Sequence, residues 1–283
     1  MSDLEQAIPA QGSPDDAEAT VYSKQPIPGG GVAATITLNR PQQLNAMSWE
    51  MISSFEQAVS RVEEDQDVRV LFVTGRGRAF SAGGDLKHYI ELQQDAVAFP
   101  RFIAALHHSF GRLRALRVPV IALVNGVTAA GGLELLLNCD LALAATSARI
   151  GDGHLNYGQM GGGGVLTLLP RLIGIQRAAE LMFSGRFLSA GEAADWGLVS
   201  RVVPDEELAA EGLALAAEIA AKSPLAVANA KYVMTSIWSD SLSVAAGLRL
   251  ELERNSYYCL TSSDAKEGLR AFSEKRRPRF EGR

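Results

Sequence analysis

The sequence predicts an α/β fold that runs into a wholly helical C-terminal region. Three observations carry this expectation. Short apolar runs bounded by turn residues recur, separated by segments with helical spacing. Two glycine-rich turns each follow such a run. Beyond Asp205 only helical patterns and helix-start signals remain.

Residues 1–18 are polar, acidic and poor in large apolar side chains, and read as a disordered tail. The glycines at 29–31 make a turn into a first strand, 33–38. Ser48 is expected to cap a helix in which Met51, Ile52, Phe55 and Val59 keep helical spacing. The apolar run 69–74, closed by Gly75, suits a strand buried on both faces. The segments 119–124 and 140–145 repeat it, and intervening helices argue for parallel pairing through crossovers. Ser189 and Glu192 form a capping box opening a short helix that stops at Gly197, and 198–203 is a last strand. Asp205 is expected to cap the next helix, Ser223 with Pro224 another, and Asp264 with Glu267 is a further capping-box variant. The expected organisation is a tail at 1–18, a core at 19–204 and a helical region at 205–283. That last region buries little alone, so it packs on the core or on a neighbouring subunit.

Composition narrows the function classes. The chain has 283 residues, 47% hydrophobic and 21% charged, as in soluble globular proteins. A net charge of -5 without a basic stripe argues against a nucleic-acid partner. The longest apolar stretch, 118–145, is broken by Asn125, Glu134, Asn138 and Asp140, which argues against a membrane span. Cys139 and Cys259 fit neither a disulfide framework nor a metal motif and are expected to be reduced, buried or half-buried thiols. With no secretory signal at the N-terminus, a cytoplasmic location is expected. Motifs for zinc, a phosphate-binding loop, a redox pair and a dinucleotide site are absent, so no metal or separate cofactor is expected.

Two segments carry chemistry. In 79–86, Gly83 and Gly84 strip away side chains, so backbone N–H groups can approach a ligand; a plain flexible turn is the alternative. In 120–134, an apolar run leads through small residues to Gly131-Gly132 and a helix that is apolar nearly all round. Its one charge is Glu134, in the first turn. That carboxylate either complements the helix dipole or serves, partly desolvated, as an acid or base.

These segments resemble the oxyanion-hole motifs of the crotonase, or enoyl-CoA hydratase/isomerase, superfamily. The resemblance starts at 39–46 (Asn-Arg-Pro-Gln-Gln-Leu-Asn-Ala), runs through 79–86, 125–134, 138–140, 171–174 and 190–199, and ends at 268–278. It implies a spiral of β-β-α units with a C-terminal region that drives trimerisation, the assembly being a trimer or a dimer of trimers. It implies an acyl-CoA thioester substrate, with coenzyme A as part of that substrate. The amides of Gly84 and Gly131 match the two oxyanion donors. Gln43, Leu44 and the stretch Ala82, Gly83, Asp85 and Leu86 match CoA-contacting positions. Phe272 and Lys275 match positions near the CoA site, sometimes on an adjacent subunit. Arg76, Arg78 and Lys87 are either phosphate contacts or solvated surface.

Family hydratases use two glutamates. Glu134 matches the first, but His154 stands where the second is usual. An imidazole suits proton transfer near neutral pH, so His154 either replaces that carboxylate or only positions substrate. Asp152 is placed to orient the ring. Asn156 and Tyr157 are further polar candidates for the acyl end. The run Gly161–Gly164 lacks a proline common there, and gives either a tight approach to the next helix or a wider acyl pocket. Hydration is the leading expectation. Isomerisation, thioester or C–C hydrolysis, and a silent CoA-binding homologue are its rivals.

Overall fold

The computed structural model describes residues 18–239 and 241–283. Residues 1–17 of the expected tail lie outside that range. In chain order the elements are β1 Thr20–Pro26, β2 Val32–Leu38, α1 Trp49–Glu64, β3 Val68–Gly75, β4 Ala79–Ser81, α2 Leu86–Leu92, α3 Ala98–Ala115, β5 Val120–Val124, β6 Val127–Ala129, α4 Gly131–Leu137, β7 Leu141–Ala145 and β8 Arg149–Gly151. There follow α5 Val165–Ile173, α6 Ile175–Ser184, β9 Phe187–Ser189, α7 Ala190–Asp195, β10 Arg201–Val203, α8 Leu208–Ala220, α9 Pro224–Ser239, α10 Val244–Thr261 and α11 Ser263–Ser273.

The larger sheet has the order β1-β2-β3-β5-β7-β10, parallel from β2 onward. Its central strands read as unbroken apolar runs because both faces are covered. One face carries α1 and α3, where Phe55 and Phe110 meet edge to face at 6.3 Å. The other face, with Phe72, Ile121 and Leu143, packs against Leu208, Ala216 and Ala220 of α8. Gly212 lets α8 come close, since a Cβ there would lie 2.9 Å from Leu123 Cδ2.

A second sheet, β4-β6-β8-β9, positions the site. Strands β4, β6 and β8 are parallel, so their C-terminal ends share one edge. Those ends deliver the loop at 82–85, the N-terminus of α4, and the segment 152–154 side by side.

Several expectations need correction. Strand β1, antiparallel to β2, was not anticipated. The three-residue strands of the second sheet were not either. The last strand covers only Arg201–Val203. Asp205 caps no helix; its carboxylate accepts from the Ser147 N–H at 3.0 Å and from the Ser147 hydroxyl. The cap of α11 is Ser262, and no side-chain box forms at Asp264. Asp264 is instead buried and accepts from the Ser223 hydroxyl at 2.7 Å and the Glu281 N–H at 2.8 Å. Both cysteines are free, Cys139 half-buried but Cys259 exposed. The caps at Ser48, Ser189 and Ser223 form as expected. Among the described residues no helix is long and apolar enough to cross a membrane.

Candidate active site

The two glycine segments touch. A Cβ at Gly83 would lie 2.7 Å from Ala130 Cβ, and one at Gly131 would lie 3.7 Å from the Gly83 backbone. Gly83 has φ +103°, open to glycine alone at little cost. Met47 fixes the first segment, donating its N–H to Gly83 O at 2.7 Å and accepting from the Asp85 N–H at 3.0 Å. The Asp85 carboxylate pairs with Arg40 at 3.2 Å and caps α2 through the His88 N–H. It is therefore a brace for the loop. Among the described residues neither the Gly84 nor the Gly131 N–H donates to a backbone carbonyl. The Gly131 amide is one of the free donors at the start of a helix, where the dipole favours negative charge.

Ala130, just before Gly131, has φ +48°, a strained value for alanine. Its N–H donates to the main-chain carbonyl of Asp152 at 2.7 Å, which holds it there.

Glu134 is 1% exposed. Its Oε1 accepts from the Gly163 N–H at 2.7 Å and the Val165 N–H at 3.4 Å. Burial pushes its proton affinity up; the nearby His154 and these two amides work against that rise. His154 Nδ1 meets Asp152 Oδ1 at 2.8 Å, the side chains being 12% and 3% exposed. Burial alone lowers the affinity of the imidazole for a proton. The Asp152 hydrogen bond and the Glu134 charge outweigh it, so the net shift is upward.

Glu134 and His154 face one small volume. A Cβ at Gly161 would lie 2.8 Å from Glu134 Oε1 and 3.4 Å from His154 Cε1. A Cβ at Gly163 would lie 2.7 Å from Glu134 Oε2. Val165 Cγ1 lies closer still to the same Gly161 Cβ position, so glycine there lets the backbone pack against Val165, the carboxylate and the imidazole at once.

The expected CoA positions cluster beside this. Leu44 O accepts from the Ala82 N–H at 2.9 Å, joining the 43–44 turn to the donor loop. Gln43 and Leu86 are exposed there. Asn156 is not aimed at the site; its Nδ2 donates to Gly185 O at 3.0 Å. Tyr157 is 68% exposed, as is Phe272 at 85%, and Lys275 is exposed beyond α11. Arg76 binds Asn39 Oδ1 at 2.8 Å, while Arg78 and Lys87 are exposed.

Two residues escaped the sequence reading. Buried Asn45 donates through Nδ2 to the carbonyls of Arg76, Ala79 and Phe80 at 3.0, 2.8 and 3.2 Å, under the Gln43–Leu44 turn. Tyr89 covers Gly84, with Cε2 2.7 Å from where a Cβ would be. Asn45 lies within a motif quoted above, but neither position has a local signal.

Among the described residues no group of His, Cys, Asp and Glu has the arrangement of a metal site. A family model described as enoyl-CoA hydratase/isomerase matches residues 29–283. The chain is 38% identical over 246 residues to a Mycobacterium tuberculosis protein named a probable enoyl-CoA hydratase, covering 87% of this chain and 93% of that one. It is 39% identical over 250 residues to a probable mitochondrial enoyl-CoA hydratase of Dictyostelium discoideum, covering 88% and 87%. Among solved structures, the enoyl-CoA hydratase from Bacillus anthracis matches with a TM-score of 0.87 at 33% identity, over 94% of this chain and all of that one.

Proposed function

We propose a hydration mechanism for this chain, which belongs to the enoyl-CoA hydratase/isomerase family. The observation that supports it is the convergence of the buried Glu134 carboxylate and the Asp152-bound imidazole of His154 beside Gly161. The thioester oxygen of an α,β-unsaturated acyl-CoA accepts from the amides of Gly84 and Gly131. A water bound by Glu134 gives a proton to that carboxylate as its oxygen bonds to the β-carbon. The double-bond electrons move onto the thioester oxygen, making an enolate. The two amides stabilise that charge, at roughly 3–4 kcal/mol per donor. The enolate then collapses as the His154 imidazolium gives a proton to the α-carbon. Transfer of a proton from Glu134 back to His154 restores the site, so one water has been added.

The upward shift of His154 favours the imidazolium this scheme needs, and Asp152 holds it. The 43–44 turn and residues 82–86 receive the CoA moiety, which is part of the substrate, and the scheme calls for no separate cofactor. Residues 19–204 make the catalytic core. Residues 205–283 assemble copies into a trimer or a dimer of trimers. Support for assembly comes from Val244, Leu248 and Leu252, exposed at 79%, 61% and 65% along one face of α10. We place the enzyme in the cytoplasm, in keeping with its free thiols.

The test is turnover of crotonyl-CoA, followed by absorbance loss, in heavy-oxygen water. Label in a 3-hydroxyacyl-CoA product supports hydration. Label in a released carboxylic acid, or a shifted double bond without label, sinks it. A wild type that binds acyl-CoA thioesters yet turns over none of a broad panel does so too.

A further inference from the structure

Tyr89 is a residue that the hydration scheme leaves unused. It lies on α2, one turn after Asp85. A Cβ at Gly84 would meet its Cε2 at 2.7 Å and its Cζ at 3.1 Å, so the ring covers the backbone of the first donor residue. Two edge-on contacts grip the ring, with Phe99 at 5.8 Å and Phe102 at 5.4 Å. Phe102 is fully buried and also meets Trp49 at 5.3 Å, so the grip is anchored in the core. Burial, and then the Glu134 charge, pushes the Tyr89 hydroxyl up to about 12, so the side chain stays neutral.

The wall continues along α3. A Cβ at Gly162 would lie 2.7 Å from Ile103 Cγ2, and one at Gly163 would lie 3.1 Å from Leu106 Cδ2. Tyr89, Ile103 and Leu106 therefore pack in turn against Gly84, Gly162 and Gly163, and Glu134 and His154 approach Gly161. Bulk on an acyl group whose thioester oxygen sits at the Gly84 amide meets the Tyr89 ring.

We propose that Tyr89 is a specificity-determining residue, its ring confining the site to short, apolar acyl groups. The inference rests on the hydratase reading, and the experiment separates the two. Dissociation constants are measured for butyryl-CoA and octanoyl-CoA, which are saturated and cannot be hydrated. Crotonyl-CoA turnover on the same preparations reports on hydration independently. The wild type favours butyryl-CoA. Tyr89→Ala shifts the ratio toward octanoyl-CoA by about tenfold or more, within the range of hydrophobic-pocket discrimination. Tyr89→Phe keeps the wild-type ratio, because the ring remains. An unchanged ratio in Tyr89→Ala, or equal losses for both ligands, overturns the proposal. Should Tyr89→Ala fail to fold, Tyr89→Leu gives the same comparison with more of the wall retained.

Discussion

Replacing Asp152 with Asn separates the roles of Glu134 and His154. The substitution keeps the size of the side chain and leaves the main-chain carbonyl that holds Ala130. It removes a negative charge whose oxygen lies 2.8 Å from His154 Nδ1. With the two side chains 12% and 3% exposed, solvent screens the pair little. A hydrogen bond to a charged group in such a setting is worth about 1.5–3 kcal/mol. At about 1.4 kcal/mol per tenfold, the imidazolium becomes roughly 10- to 150-fold harder to maintain. The sign follows from the causes. Asp152 raises the proton affinity of His154 against the pull of burial. Its loss lowers that affinity, so the alkaline limb of the kcat profile moves to lower pH. Above neutral pH, kcat falls by about tenfold or more, while the acid limb, set by Glu134, moves little and KM holds. The assay is crotonyl-CoA hydration across the neutral range with wild type beside the variant. A wild-type alkaline limb in Asp152→Asn refutes the assignment of His154 as acid.

Other outcomes follow from the same geometry. Glu134→Gln keeps an oxygen for the Gly163 N–H but removes the base, so kcat falls about 10²–10⁴-fold with nearly unchanged thermal stability. The wild-type acid limb lies above the ordinary carboxylate range, because burial raises Glu134 and activity appears only as it loses its proton. Asn45→Ala leaves three carbonyls short of a donor; unfolding by heat should show a loss of about 2–3 kcal/mol, and a raised KM should report the loosened CoA turn. Lys231 is 7% exposed on its side chain and binds the carbonyls of Leu113 and Val118 and the Asp140 carboxylate at 3.0, 2.9 and 2.6 Å. Lys231→Met breaks that buried cluster, and urea unfolding should show a loss of about 3–5 kcal/mol with hydration kinetics preserved.

Much of the site was legible before the structure. Glycine pairs after apolar runs announced close backbone approach, and a lone acid in an apolar helix announced a special carboxylate. Once the resemblance had singled out His154, Asp152 two residues before it was a candidate to orient the ring. What stayed hidden depends on distance in the fold. A three-residue strand such as β8 shows no usable period, so the sheet that aligns the three functional loops left no trace. Asp205 and Asp264 look like caps locally, yet each serves a partner far away in sequence, Ser147 or Ser223. Asn45 and Tyr89 take their roles from neighbours that only folding supplies.

Asp152 touches both halves of the chemistry. Its carbonyl holds the residue before Gly131, and its carboxylate holds His154. Any thermal displacement of the end of β8 therefore carries the oxyanion donor and the proton donor together, as one body. The distance between them is buffered against breathing of the second sheet, although each sits on a different element. A reaction that must bind charge on oxygen and deliver a proton two atoms away depends on that one distance more than on the absolute position of either group.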